Sequence, residues 1–322
     1  MKKSLRILGL VLLFMMAAAS MFARGQRSDS RQYEIAFSLK TITNDDFQRA
    51  IADSIEKAVR AAGHRFTLVM AGEQTAVATQ VNQVEDLIAK KVSAIILSPM
   101  DSRAVIPVLR KARDAGIPVV LVDQTIEPGN DDLFITYIGT DNFNAGKVGG
   151  QTLAKALNNS GNVLIVRGAN GSSAGDERVD GFKEGIKGTN IRVAGEQPGN
   201  WTNSVAMQVT ENMLQGNPQV DGIFTASDVM LDGILTALQN ANRRNVRIMA
   251  VDGSRAAVER IEAGEVFGTM AQFPGRMGPR AVEIIIGVLN GTVNPSSVPK
   301  YIDSGTACYT RENLNEAKAE MF

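Results

Sequence analysis

The chain of 322 residues has one cysteine, one histidine and one tryptophan, and aromatic residues make up 5% of it. A single thiol, Cys308, has no partner for an internal disulfide, so stability must come from the core, and Cys308 is expected to be a small buried hydrophobe. The one imidazole, His64, follows Arg60-Ala61-Ala62-Gly63, where a helix end or plain surface exposure accounts for it. One His and one Cys cannot assemble the usual zinc sites or a Cys–His nucleophile pair, so neither a metal, another cofactor nor an enzyme is expected. An excess of charge is also missing, since 34 Lys and Arg balance 34 Asp and Glu. That balance, with no block of five like charges, removes the basic footprint of a nucleic-acid binder and leaves no charged tail.

What is present begins with an export signal. Lys2, Lys3 and Arg6 precede the apolar stretch Ile7 to Ala23, and small residues close it, so residues 1–23 read as a cleavable signal peptide with the mature chain starting near residue 21 to 24. A retained membrane anchor is the alternative, but the stretch is slightly short for a span of roughly 20 residues. No Cys near its end offers a lipid attachment point.

Beyond it, short apolar runs bounded by turns alternate with segments of helical period: YEIAFSL, VSAIIL, PVVLV, FITYI, NVLIV, DGIFTA and VRIMAV. The first helical segment places Phe47, Ile51, Ile55, Val59 and Ala62 on one stripe and ends at Gly63. Strands apolar at successive positions require cover on both faces, which predicts an α/β fold with parallel sheets. The length suits two domains, and the halves resemble each other. Val92 to Gln124 and Val220 to Gly253 share one plan: strand, short turn carrying Asp101 or Asp228, helix, strand, then Asp123 or Asp252.

Asp123, Asp228 and Asp252 follow strands directly, and in open parallel sheets ligands bind outside the carboxyl ends of the strands. The three are expected to line a cleft between the domains. The alternative for each is a cap on the next helix or a brace within its own turn.

The order GIPVVLVDQ, YIGTDNFNAGKVGGQ, DERVDGFKEGI, VDGIFTASDVM, IMAVDGS and GTMAQFPGRMG resembles the type I periplasmic sugar-binding proteins of ABC transporters, of the ribose-binding kind, over nearly the whole mature chain. Lactose-repressor-type regulators share this core, but they carry a DNA-binding helix-turn-helix where this chain has an export signal. The resemblance implies two Rossmann-like, doubly wound parallel-sheet lobes joined by a three-segment hinge, with crossovers near Thr140 to Asp141, just after Gln272 and near Asp303. The first lobe would hold 32–140 and 273–302, the second 141–272 and 303–322.

It also implies that Asn44, Phe47, Asp123, Arg178, Trp201, Asp252 and Gln272 contact a sugar. Phe47 has core packing as its alternative, and Asn44 a helix cap. Lys40, Asp46, Gln124 and Ser227 stand where the ribose-binding kind has other residues, so they are candidate ligand contacts that shift specificity away from ribose, towards a hexose, a sugar alcohol or a cyclitol. Lys40 either meets a ligand carboxylate or pairs with Asp45 or Asp46. Carboxylates that accept hydroxyl protons and an Arg fork that donates suit a neutral polyol, and Phe47 and Trp201 could cover the two faces of its ring. The expected protein is a periplasmic monomer that takes a small sugar or polyol to an ABC permease, or alternatively an exported ligand-binding module serving a chemoreceptor or sensor.

Overall fold

The computed structural model describes residues 31–322, so the expected signal peptide at 1–23 lies outside the described residues. The first lobe starts with β1 (Glu34–Leu39), α1 (Asp46–Ala61), β2 (Arg65–Met70), α2 (Val77–Ala89), β3 (Ala94–Leu97), α3 (Ile106–Asp114), β4 (Val119–Val122) and β5 (Tyr137–Gly139). The chain then builds a second sheet from β6 (Ser160–Arg167), β7 (Asn190–Pro198), β8 (Gly222–Thr225), β9 (Arg247–Asp252) and β10 (Gly268–Gln272). Between them run α4 (Asn142–Ala156), α5 (Ser173–Gly185), α6 (Asn203–Gly216), α7 (Leu231–Asn240) and α8 (Arg255–Ala263). After β10, α9 (Pro274–Leu289) returns to pack on α1, β11 (Tyr301–Asp303) joins the first sheet, and β12 (Thr306–Thr310) joins the second ahead of α10 (Leu314–Glu320).

Both sheets have six strands in one plan: β2-β1-β3-β4-β5-β11 and β7-β6-β8-β9-β10-β12. The first is parallel throughout, and in the second only β12 runs antiparallel, against β10. In each, strand order reverses beside the first strand, β1 or β6, which opens a crevice at the carboxyl ends. The central strands β3, β4 and β8 are buried at every position, as helices on both faces require.

The stripe on α1 is buried at Phe47, Ile51, Ile55 and Val59 and continues through Gln48 and Ala52. Ala62 departs from the expectation: it is the C-cap and is exposed, because the helix has ended one residue earlier. Gly63 then takes φ +80°, the left-handed conformation that closes a helix. Cys308 lies in the antiparallel strand β12 and is half-buried rather than fully enclosed, with its Sγ 3.7 Å from Thr152 Oγ1. No helix among the described residues is long and apolar enough to cross a membrane.

Candidate functional site

The carboxyl ends of the two sheets face one another across a small cavity. Lys40, Asp45, Phe47, Gln48, Asp123 and Gln124 line it from the first lobe, and Ala174, Arg178, Trp201, Ser227 and Asp252 from the second. A larger concavity, about 1570 Å³, lies at the other end of the second sheet among Lys155, Arg243, Arg247 and Glu312. There Arg260 is paired with Asp232 and Arg247 stacks on Phe267, so size alone does not select it. The smaller cavity concentrates buried polar groups, and these identify it as the candidate site.

Asp123 and Asp252 anchor the two sides. Each sits at a positive φ, +65° and +137°, which a non-glycine residue adopts only when its surroundings hold it there. Around Asp123, the Tyr137 hydroxyl donates to the backbone carbonyl at 3.0 Å. Its Oδ2 accepts from Gln48 Nε2 at 2.7 Å and from Ser98 Oγ at 3.1 Å. Burial pushes this carboxyl above its ordinary pKa, while the charges of Lys40 and Arg178 and the two hydrogen bonds oppose the shift. Asp252 is more fully occupied: Oδ1 accepts from Gln272 Nε2 at 2.7 Å, and Oδ2 from Ser227 Oγ at 2.5 Å and Asp228 N at 3.1 Å. Burial pushes Asp252 up to about 6, held back by Arg178, Ser227 and Gln272.

Arg178 owes its place to glycine. A Cβ on Gly146 of α4 would stand 2.0 Å from the Arg178 carbonyl oxygen, and one on Gly181 of α5 would stand 2.0 Å from the Phe143 carbonyl oxygen. The helices therefore touch backbone to backbone, and α5 is pinned where its Arg178 reaches the strand ends. The guanidinium, 3% exposed, donates from Nε to Asn142 Oδ1 at 2.8 Å and from Nη1 to the Ala226 carbonyl at 2.7 Å. Nη1 also lies 3.6 Å from Asp252 Oδ1. Arg178 also lines the cavity.

Trp201 follows Asn200 in a pair of left-handed residues, φ +59° and +53°. That turn lays the indole against Gly168, where a Cβ would come within 2.0 Å of the ring. Trp201 is 5% exposed and packs in the second lobe's apolar cluster while also lining the cavity. Its free side meets Lys40 from the opposite lobe, with Nζ 5.0 Å from the ring centroid. Lys40 also pairs with Asp45 at 3.4 Å, both side chains buried. Phe47 packs edge-on against Phe322 at 5.6 Å, a contact that joins α1 to the segment after α10.

Of the residues expected to contact a ligand, Lys40, Phe47, Asp123, Gln124, Arg178, Trp201, Ser227 and Asp252 come together at the cavity, and Gln272 stands directly behind Asp252. Gln124 does more than line it: its Oε1 accepts from Ser172 Oγ at 2.6 Å across the lobes. Beside it, Thr125 N donates to Ser173 Oγ at 3.0 Å and Ser102 N to the Gly171 carbonyl at 2.9 Å. Asn44 and Asp46 are exposed and do not line the cavity, because the turn at Asn44, φ +55°, swings Asp45 inward instead. Asp45 is also the cap of α1, accepting from Gln48 N at 3.0 Å, the part that is the alternative reading for Asn44. Asp228 is turned away by the 3-10 turn Asp228–Met230: Oδ1 accepts from Thr269 Oγ1 at 2.9 Å and Oδ2 from Ser254 N at 2.8 Å. Burial and the neighbouring Asp252 push its carboxyl up to about 8. Asp45 is expected from the sequence only as a partner of Lys40, not as part of the cavity wall, and Gln48 is not expected at all, although it interrupts an otherwise apolar helix stripe, which is a visible signal.

Comparison with known proteins agrees with this architecture. The family described as periplasmic binding protein domain matches residues 35–292. The chain is 29% identical to the ribose import binding protein of Salmonella typhimurium over 257 residues, 80% of this chain and 85% of that one. A solute-binding protein of Actinobacillus succinogenes, solved with bound D-allose, superposes with TM-score 0.80 at 30% identity and covers 88% of this chain and 100% of its own. One from Agrobacterium vitis, solved with bound D-fucose, superposes at 0.84 and 27% identity over 90% of this chain and 100% of that one. Two lobes of one strand order, a buried polar cleft between their strand ends and these matches together place the chain in the periplasmic binding protein family, among the type I sugar-binding proteins of the ribose-binding kind.

Proposed function

We propose that this chain is an exported substrate-binding protein that captures a monosaccharide or related polyol between its lobes and delivers it to an ABC permease. The observation that carries the reading is the facing pair Asp123 and Asp252, each buried, each fixed by an amide and a serine hydroxyl, with Arg178 beside them. Such groups accept from and donate to sugar hydroxyls in one closed network, and a buried hydroxyl left unpaired costs about 1 to 3 kcal/mol, which makes the site selective.

The lobes, 32–140 with 273–302 and 141–272 with 303–322, move about the three chain crossings in this reading. The cavity groups are nearly all shielded from solvent, so a ligand enters when the lobes part and is enclosed when they meet. Closure is driven by contacts the ligand makes only with both lobes together, since equal affinity for open and closed forms shifts nothing. The Gln124–Ser172 and Lys40–Trp201 contacts add to the closed form directly.

Thermal-shift measurements over D-ribose, D-allose, D-fucose, cyclitols and sugar acids test the proposal. The expected result is a raised melting temperature with one of them, and its recovery chemically unchanged. No shift with any, or turnover of the compound, contradicts it.

A further inference from the structure

Gln48 sits on the third residue of α1, 1% exposed, on a stripe that continues through Ile51, Ala52, Ile55 and Val59. Packing alone asks for an apolar side chain there. Instead the side-chain Nε2 donates to Asp123 Oδ2 at 2.7 Å, and Oε1 is buried with no hydrogen-bond partner among the described residues. The amide cannot be turned over to relieve this, because Oε1 would then face a carboxylate oxygen, acceptor against acceptor. Gln48 lines the cavity, and an orphaned acceptor held there by a neighbour's hydrogen bond is poised for a donor from outside the protein.

Asp123 has the matching feature. Both of its side-chain hydrogen bonds fall on Oδ2, so Oδ1 has none among the described residues. Two acceptors without a partner among the described residues thus belong to residues joined by one hydrogen bond, both lining the cavity from the first lobe. The second lobe repeats the device with Gln272, whose Nε2 donates to Asp252 and whose Oε1 is likewise buried without a partner.

Building on the cleft-binding function above, we propose that Gln48 is a specificity-determining residue whose Oε1 accepts a proton from one ligand hydroxyl, beside the hydroxyl taken by Asp123 Oδ1. The first lobe therefore reads a pair of neighbouring hydroxyls. A polyol lacking one of that pair leaves Oε1 unpaired in the closed cleft and binds less well.

The test is calorimetric titration of D-ribose, D-allose and D-galactose, each against its monodeoxy analogues (D-fucose being the 6-deoxy form of D-galactose), with the intact protein and with Gln48→Met. The intact protein should disfavour the analogue missing the hydroxyl that Gln48 reads by about tenfold or more. In Gln48→Met that one preference should collapse to within about twofold while preferences at other carbons persist. Should Gln48→Met fail to fold, Gln48→Asn withdraws the acceptor by one methylene and is expected to lose the same preference. A uniform loss for the parent sugar and every analogue means that Gln48 only steadies Asp123 and overturns the inference alone. Where thermal shift selects a cyclitol or sugar acid instead, that compound and its monodeoxy analogues replace these three; absence of binding to every one of these compounds by the intact protein overturns the cleft-binding function, and the inference with it.

Discussion

The two halves of the cleft are built on one plan and finished differently. β4 and β9 occupy the same place in their sheets, and each leads into an aspartate of positive φ that receives one glutamine amide and one serine hydroxyl. On the second lobe the aspartate is complete before any ligand arrives: both oxygens of Asp252 accept hydrogen bonds, and Arg178 stands 3.6 Å away. On the first lobe Asp123 keeps one oxygen without a donor among the described residues, and the cation of its own lobe that lines the cavity, Lys40, is paired with Asp45. The two half-sites share a glutamine oxygen without a partner among the described residues, Gln48 Oε1 and Gln272 Oε1, and differ at the carboxylate: that of Asp252 is hydrogen-bonded through both oxygens, that of Asp123 through one. Under the proposed function this asymmetry has a use: a ligand that settles against the second lobe favours closure through its added contacts with Asp123.

The largest effect expected from breaking this asymmetry is at Arg178. Arg178→Met removes the counter-charge from a buried Asp252 and two further hydrogen bonds, so the unliganded protein should lose about 3 to 5 kcal/mol in urea unfolding and bind poorly as well. A stability near that of the parent would show that the second lobe is not charge-built. Next comes Gly168→Ala, whose Cβ would collide with the Trp201 ring; the indole must shift, with a loss of about 1 to 3 kcal/mol in stability and a weaker affinity. Ala at Gly216, where a Cβ meets nothing within 4 Å, is the control and should leave affinity unchanged.

A smaller effect lies in pH. Asp228 and Asp252 are raised to about 8 and about 6, above the value of about 3.9 for an unfolded aspartate. The folded chain therefore holds protons that the unfolded chain has released. The stabilisation from this pair is complete below about pH 4 and is lost as pH rises through 6 towards 8. Asp228→Asn keeps the shape and removes one of the two titrations, so its melting temperature should gain on the parent's as pH rises from 4 to 8. A constant difference across that range would mean that the pair is not coupled to folding.

The sequence made some of this legible and hid the rest for physical reasons. Buried central strands such as β3, β4 and β8 show as unbroken apolar runs because helices cover both faces. The edge strands β2 and β7 were unreadable: both are largely half-exposed, and β7, Asn190–Pro198, carries polar residues along its length and an irregular register beside β6. Asp123 and Asp252 could be found because they directly end apolar runs. Asp228 shares their place in the repeat, yet a 3-10 turn aims it at Thr269 and Ser254, and repeat symmetry does not encode a turn. The run Asn44-Asp45-Asp46 offers three residues able to cap a helix, and only the left-handed turn at Asn44 decides that Asp45 points inward. The symmetry between Gln48 and Gln272 is invisible in sequence because one comes from a helix and the other from a strand end.

The central claim, that the half-occupied carboxylate of Asp123 closes on a ligand held from the lobe of the fully occupied Asp252, is tested most directly at Asp123. For a sugar identified by thermal shift, Asp123→Asn should weaken binding by roughly 1.5 to 3 kcal/mol and reduce the ligand-induced compaction seen by small-angle scattering at a given sugar concentration. Without ligand, the variant should melt at or above the parent's temperature, since burial already disfavours the charge on Asp123. A variant that melts lower without ligand and binds and compacts as the parent does would make Asp123 a brace for its own loop and contradict the account.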